Sequence, residues 1–234
     1  MPPRRACDLT VEDRATIIRQ SEISTGLDET LIAQIANIST AMDFRRRRFI
    51  YQMGETADSL YLIARGRVKL CCIEECSGRE AVIDILSAGA LFGESALFGE
   101  NVRDKSAVAF ENTRCLRIPV GDFQEGIMHH RGLYDYIFRL VGQRLTRAER
   151  RLADFALDAI PARLEKLLAE LSQRYGRRAD GGVLIDLALP HREIASIVGS
   201  TRESVTVRLN DMRRAGIIDF VDRKILIKHP GAAA

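Results

Sequence analysis

The chain has 234 residues, 46% hydrophobic and 29% charged, enough for one large domain or two smaller ones of ordinary globular composition. No apolar run approaches the ~18 residues a bilayer span needs, which argues against a membrane protein. The net charge of +3 is unevenly divided: residues 1–142 hold 18 Lys+Arg against 20 Asp+Glu (−2), and residues 143–234 hold 17 against 12 (+5), so the C-terminal part is the one suited to a polyanion.

The N-terminal MPPRRACDLTVEDR has basic residues but no apolar stretch after them, unlike a signal peptide. Cys7 stands apart from the other four cysteines, whose spacing is irregular. These features predict a cytoplasmic protein with reduced thiols and no four-thiolate cluster. Residues 9–41 read as helical, with Ile17, Ile18, Leu27, Leu31, Ile35 and Ile38 at mixed helical spacing. The run Arg45–Arg48 reads as an exposed charged edge at the entrance to a strand.

From Phe49 to Pro119 short alternating runs (SLYLIARGRVKLCCI, REAVIDIL, TRCLRIP) are punctuated by glycines, the pattern of a β-roll or sandwich. Within it FGESALFGENVRDKSA, residues 92–107, has the glycines, cation and hydroxyl of a phosphate cradle. If 103–105 is a strand, Arg103 and Lys105 face the same side. Cys71 and Cys72 then face opposite sides, so a redox-sensitive pair would join one of them to Cys76; buried or solvated thiols are the plainer reading, and Cys115 reads as core. An enzyme on a metal-binding roll would need several His and carboxylate ligands, yet no histidine lies between Phe49 and Pro119, and we exclude it. His129-His130 reads as a solvated pair.

A long helix is predicted over 131–158. Tyr134, Phe138, Val141, Leu145, Ala148, Leu152, Phe155 and Ala159 follow one another at alternating intervals of four and three, an a/d seam for knobs-into-holes pairing with a second helix. The alternative is a core-facing stripe of one domain, but the flanking Arg144, Arg147, Arg150 and Arg151 favour the seam. After Pro161 an amphipathic helix ends at Gly176, RRADGG reads as a polar connection and VLIDLAL as a strand. PHREIASIVGSTRESVTVRLNDMRRAG then has helix-turn-helix spacing, with Gly199 at the turn, Ser200 capping the second helix and Glu203 reaching back. Val205, Leu209 and Met212 would anchor that helix, leaving Arg202, Glu203 and Thr206 outside, where a recognition helix meets base edges. A hairpin with Asp222-Arg223-Lys224 at its tip would form a wing against phosphate.

The segments SLYLIARGRVKL, FGESALF, KSA and IASIVGSTRESV, in that order, resemble the CRP/FNR family of bacterial transcription regulators, from about Leu27 to Ile227. The resemblance implies an α+β architecture: an N-terminal sensor β-roll of the cyclic-nucleotide-binding type (1–130), a dimerisation helix (131–158), and a C-terminal winged helix-turn-helix (159–234). It implies a cytoplasmic homodimer that is not an enzyme, binds a palindromic operator in double-stranded DNA and contacts RNA polymerase. It puts Arg202 and Glu203 at base-reading positions, beside Ser200, Thr201 and Thr206. Where the family commonly has a second reading arginine stands Val207; Arg208 comes one residue later, about 100° around the helix. For the sensor, the resemblance places an effector around Gly93, Glu94, Ser95, Arg103, Lys105, Ser106 and Ala107, with Glu94 on a ribose. Lys105 replaces the family's phosphate arginine, a substitution that loses the bidentate fork. Ala148 and Glu149 replace the hydroxyl residues that meet the base. The effector therefore stays open between a cyclic nucleotide and ligand-independent or redox control.

Overall fold

The computed structural model describes residues 4–5, 9–74, 76–99, 101–126 and 130–228. The chain divides into two compact units, one running to Leu145 and the other from Thr146. Among the described residues no helix is long and apolar enough to cross a membrane.

The first unit opens with β1 (Arg4–Arg5), α1 (Val11–Arg19), a 3-10 turn at Glu22–Ser24, and α2 (Glu29–Ile38). The single helical region predicted over 9–41 is thus divided. Gly26 takes a left-handed φ of 95°, Asp28 caps a new helix by accepting from the Leu31 N–H at 2.8 Å, and the chain is extended again by Ser39. The roll follows: β2 (Thr40–Phe44), β3 (Phe49–Tyr51), β4 (Ser59–Arg65), β5 (Arg67–Ile73), β6 (Glu80–Ser87), β7 (Leu91–Phe92), β8 (Ser106–Ala109) and β9 (Thr113–Pro119). They form two antiparallel sheets, ordered β1-β2-β9-β4-β7 and β3-β8-β5-β6.

Strand β4 is apolar on both faces because both are covered. Leu60 and Leu62 pack with α1, α2 and Phe123 of the short helix α3 (Val120–Gly126), while Tyr61 and Ile63 enter the space between the sheets with Val68, Leu70 and Phe92. A strand sandwiched in this way needs no polar alternation. α3 was not expected.

Helix α4 (Arg131–Leu157) spans 27 residues, about 40 Å at 1.5 Å per residue. It begins in the first unit, where Leu133, Tyr136, Ile137 and Leu140 are buried against the helical core, and ends in the second. Leu157 closes it, so Ala159 caps the next helix rather than extending the seam.

The second unit continues with α5 (Ile160–Tyr175), β10 (Gly176–Ala179), β11 (Gly182–Ile185), α6 (His191–Val198), α7 (Arg202–Arg214), β12 (Ile218–Val221) and β13 (Lys224–Lys228). The predicted connection RRADGG is in fact half of the β10–β11 hairpin, turning at Asp180-Gly181 with Gly181 at φ 82°. β11 stops short of the predicted 183–189 strand because the backbone enters tight turns there: the Leu187 N–H donates to Ile185 O at 2.7 Å and the Leu189 N–H to Leu187 O at 3.0 Å. The sheet order is β10-β11-β13-β12. Asp222 and Arg223 both have positive φ, 48° and 64°, the geometry of a tight two-residue hairpin.

Candidate functional site

Helices α6 and α7 meet through Ile194, Ala195, Ile197 and Val198 on one side and Val205, Leu209 and Met212 on the other, all buried. Gly199 makes the turn at φ 63°, and the Ser200 N–H closes the end of α6 by donating to Ala195 O at 3.0 Å. That bond commits Ser200 to the preceding helix, so the predicted cap moves by one residue. Thr201 is the N-cap of α7, accepting from the Ser204 N–H at 3.2 Å; Glu203 makes no capping box and stays exposed.

Arg202, Glu203 and Val207 are exposed, Val207 to 62%. Thr206, expected outside, is half-buried: its hydroxyl donates to Arg202 O at 2.8 Å and lies 2.8 Å from His191 Nδ1. His191 packs against the Phe220 ring of β12, and burial, with the Arg202 charge, holds its pKa below the ordinary value. Arg208 turns to α5, 3.8 Å from Glu165. At the hairpin tip Arg223 is exposed, whereas Lys224 is drawn to Asp186 at 2.5 Å. Asn210, which the sequence reading passed over, is exposed on the same face as Glu203 and Val207; its spacing of three from Val207 was the available signal.

In the roll, Gly93 at φ 81° opens a 3-10 turn, Glu94–Phe98. A Cβ on Gly93 would stand 3.0 Å from Arg103 Nη1 and 3.1 Å from Ser59 O, so the position is closed to side chains twice over. Glu94 is 7% exposed and ion-paired with Arg144 of α4, which also donates to Leu91 O at 2.7 Å. Arg103 is 2% exposed. It donates to Ser59 O at 2.6 Å and Gly93 O at 3.2 Å, with its guanidinium 4.2 Å from the Tyr51 ring centroid and 5.8 Å from that of Tyr61. Burial pushes the hydroxyl pKa of both tyrosines up.

Arg103 and Lys105 do not share the face of a strand. Residues 103–105 precede β8 and are not strand, and Lys105 pairs with its neighbour Asp104. The Ser106 hydroxyl accepts from the Met53 N–H at 2.9 Å, Ala107 lies wholly within the roll core, and Ser95 is half-buried. Glu149 is exposed on the part of α4 that belongs to the second unit. Of the sequence-predicted set, then, Gly93, Glu94 and Arg103 come together, and Arg144, Tyr51, Tyr61 and Ser59 join them. Four buried polar atoms in this cluster have no hydrogen-bond partner among the described residues: Glu94 Oε2, Arg103 Nε, Arg144 Nε and Arg144 Nη1, the last being the atom of the ion pair with Glu94.

The stripe that α4 buries is Leu133, Tyr136, Ile137 and Leu140, a different stripe from the heptad seam. Of the seam residues, Tyr134, Phe138, Leu145, Ala148, Leu152 and Phe155 are exposed, Phe138 and Leu152 each to 70%. Val141 is half-buried at the edge of the core. Phe155 is partly engaged in its own unit, where its ring abuts Gly199 and carries the Arg163 guanidinium at 4.9 Å. Cys71 and Cys115 are buried thiols with pKa pushed up by burial, Cys72 is half-buried and Cys76 exposed, and all four are free. Arg45–Arg48 and His130 are exposed; Cys7 and His129 lie outside the described residues.

The chain matches the family models of the cyclic nucleotide-binding domain at residues 41–130 and the Crp-like helix-turn-helix domain at residues 162–232. A global nitrogen regulator of Synechocystis sp. is 30% identical over 191 residues, 81% of this chain and 84% of the relative. A CRP-like cAMP-activated global transcriptional regulator of Mycobacterium tuberculosis is 29% identical over 211 residues, 90% and 94% of the two chains. Among solved structures, the c-di-GMP-responsive global regulator CLP of Xanthomonas campestris superposes with a TM-score of 0.76 at 21% identity, over 87% of this chain and 100% of that one. A CRP/FNR-family regulator of Thermus thermophilus gives 0.62 at 27% identity, over 81% and 93%.

Proposed function

The chain belongs to the CRP/FNR family of transcription regulators, and from that premise we propose that it works as a homodimer reading a palindromic DNA operator, where it acts on RNA polymerase. In this reading residues 1–130 are the sensor, 131–158 the dimerisation helix and 159–234 the DNA-binding domain. The observation that carries it is the outer face of α7. Arg202, Glu203 and Val207 stand exposed above the buried Val205 and Leu209, at the end of the helix that meets base edges in the major groove. Arginine suits guanine O6 and N7, and glutamate suits the cytosine amino group. The exposed Arg223 at the hairpin tip suits a phosphate. The open seam of α4 supports the two-fold pairing that a palindromic site requires.

A second reading concerns the signal, and the free atoms around Glu94 favour it. One buried acceptor, Glu94 Oε2, and two buried donors, Arg103 Nε and Arg144 Nε, have no partner among the described residues, and leaving such groups unmet is costly. A ligand carrying both a hydroxyl and an anionic group complements them, and a cyclic nucleotide has both. Glu94 would take the ribose hydroxyl, and Arg144 with Arg103 the phosphate. Lys105, already neutralised by Asp104, is the lesser contributor. The test is enrichment of duplexes from a random pool by the full chain, with and without cyclic AMP or cyclic GMP, under reducing and oxidising conditions, alongside calorimetry on Glu94→Ala. Failure to enrich any duplex refutes the operator reading; absence of binding heat with either nucleotide refutes the nucleotide reading alone.

A further inference from the structure

The place where Val207 stands is unusual in its chemistry. A major groove offers hydrogen-bond donors and acceptors on every base pair but only one apolar group, the 5-methyl of thymine. On α7 the exposed residue one turn after Glu203 is Val207. Four residues turn about 400°, so the two side chains lie within about 40° of each other, roughly 6 Å apart along the axis. Both neighbours that could substitute a polar contact are engaged elsewhere. The Thr206 hydroxyl is held by Arg202 O and His191 Nδ1, each at 2.8 Å. The Arg208 guanidinium is turned toward Glu165 of α5 at 3.8 Å, and its Nε is buried.

We propose that Val207 is a specificity-determining residue that packs on a thymine methyl, so that each half-site carries a T·A pair one or two base steps from the pair met by Glu203. This rests on the reading of α7 as a recognition helix. An isopropyl group facing any other base edge would desolvate donors and acceptors without replacing their partners, so the same side chain that favours thymine disfavours the alternatives.

The test begins with half-sites enriched from random duplexes by the full chain and by Val207→Ala. The position under Val207 is the one where the wild-type preference for thymine flattens in the variant while the rest of the site is kept. In a synthetic operator, deoxyuridine replaces thymidine at that position, deleting the methyl and nothing else. The expected loss for the wild type is about fourfold in affinity, the worth of one buried methyl group, with no loss for Val207→Ala. Conversely, 5-methylcytosine should bind the wild type more tightly than cytosine there. Because Val207 is exposed, the alanine variant keeps the fold, which circular dichroism checks. Equal wild-type affinity for thymidine and deoxyuridine at every position of an enriched site overturns the proposal and leaves the operator reading standing. If no duplex is enriched at all, the operator reading falls and this inference falls with it.

Discussion

Replacing Arg144 with methionine should expose how much of the sensor rests on one buried ion pair. Methionine keeps the length and helix propensity of the side chain but leaves the Glu94 carboxylate, 7% exposed, without its cation and Leu91 O without its donor. Removing one partner of a buried pair costs about 3–5 kcal/mol, because the other charge is left unmet. The Arg144 side chain keeps 16% of its exposure, so we expect the lower end, about 3 kcal/mol. At 2–4 °C per kcal/mol for a unit of this size, the melting transition falls by roughly 6–12 °C. Glu94→Gln in the same background removes the stranded charge and should recover at least half of the loss. The assay is scanning calorimetry of the four proteins of the cycle, with hydrogen exchange of the peptide covering 91–99 to assign the transition to the sensor. A single variant within about 1 kcal/mol of wild type, or a double variant no better than the single, would refute the argument that the pair is buried and obligatory.

Leu145→Glu places a charge in the exposed stripe of α4 and should yield a monomer by light scattering with the fold intact; an unchanged dimeric mass would remove the seam from the proposed interface. Gly132→Ala should destabilise the first unit by roughly 1–2 kcal/mol. The added methyl would stand 2.1 Å from Gly26 O, a backbone atom that cannot swing aside, which outweighs the propensity gain of alanine; a melting temperature at or above wild type would contradict that approach. His191 titrates below its ordinary 6.5 in the folded chain, so the unfolded state binds its proton first as the pH drops. Its contribution to stability is complete above about pH 6.5 and is lost as the pH falls toward the folded value. His191→Gln should flatten that part of the stability–pH curve of the second unit, and an unaltered slope would count against the lowered pKa of the half-buried ring.

The parts of the molecule that obey a period were legible in the sequence. The alternation in TRCLRIP pointed to the roll, whereas SLYLIAR, buried on both faces, was recognisable only as a short apolar run bounded by a glycine. The four–three spacing of Tyr134 to Phe155 marked a stripe that the structure leaves open, and the spacing of Ile194 to Met212 marked the helix pair. Where neighbours compete, the sequence was ambiguous. Ser200 and Thr201 both suit an N-cap, and only the bond from the Ser200 N–H to Ala195 O decides between them. The β10–β11 hairpin carried a recognisable Asp180-Gly181 turn that the surrounding charges disguised as a connection. Contacts across long sequence distances left no local trace. Arg144 meets a carboxylate 50 residues earlier, and Arg103 finds its acceptors at Ser59 and Gly93 rather than beside Lys105, because the assumed strand through 103–105 is a loop.

The unbroken run of α4 makes its sequence length a matter of phase. Adding one residue between Leu145 and Leu152 would break the four–three spacing of the stripe, moving Leu152 and Phe155 by about 100° around the helix from the bearing that the spacing now gives them. Adding seven would return Leu152 to within about 20° of its former bearing. Chains of this architecture should therefore tolerate length changes in this stretch in units of whole heptads, and the present number of residues here is a quantity under constraint even where individual side chains are free to vary.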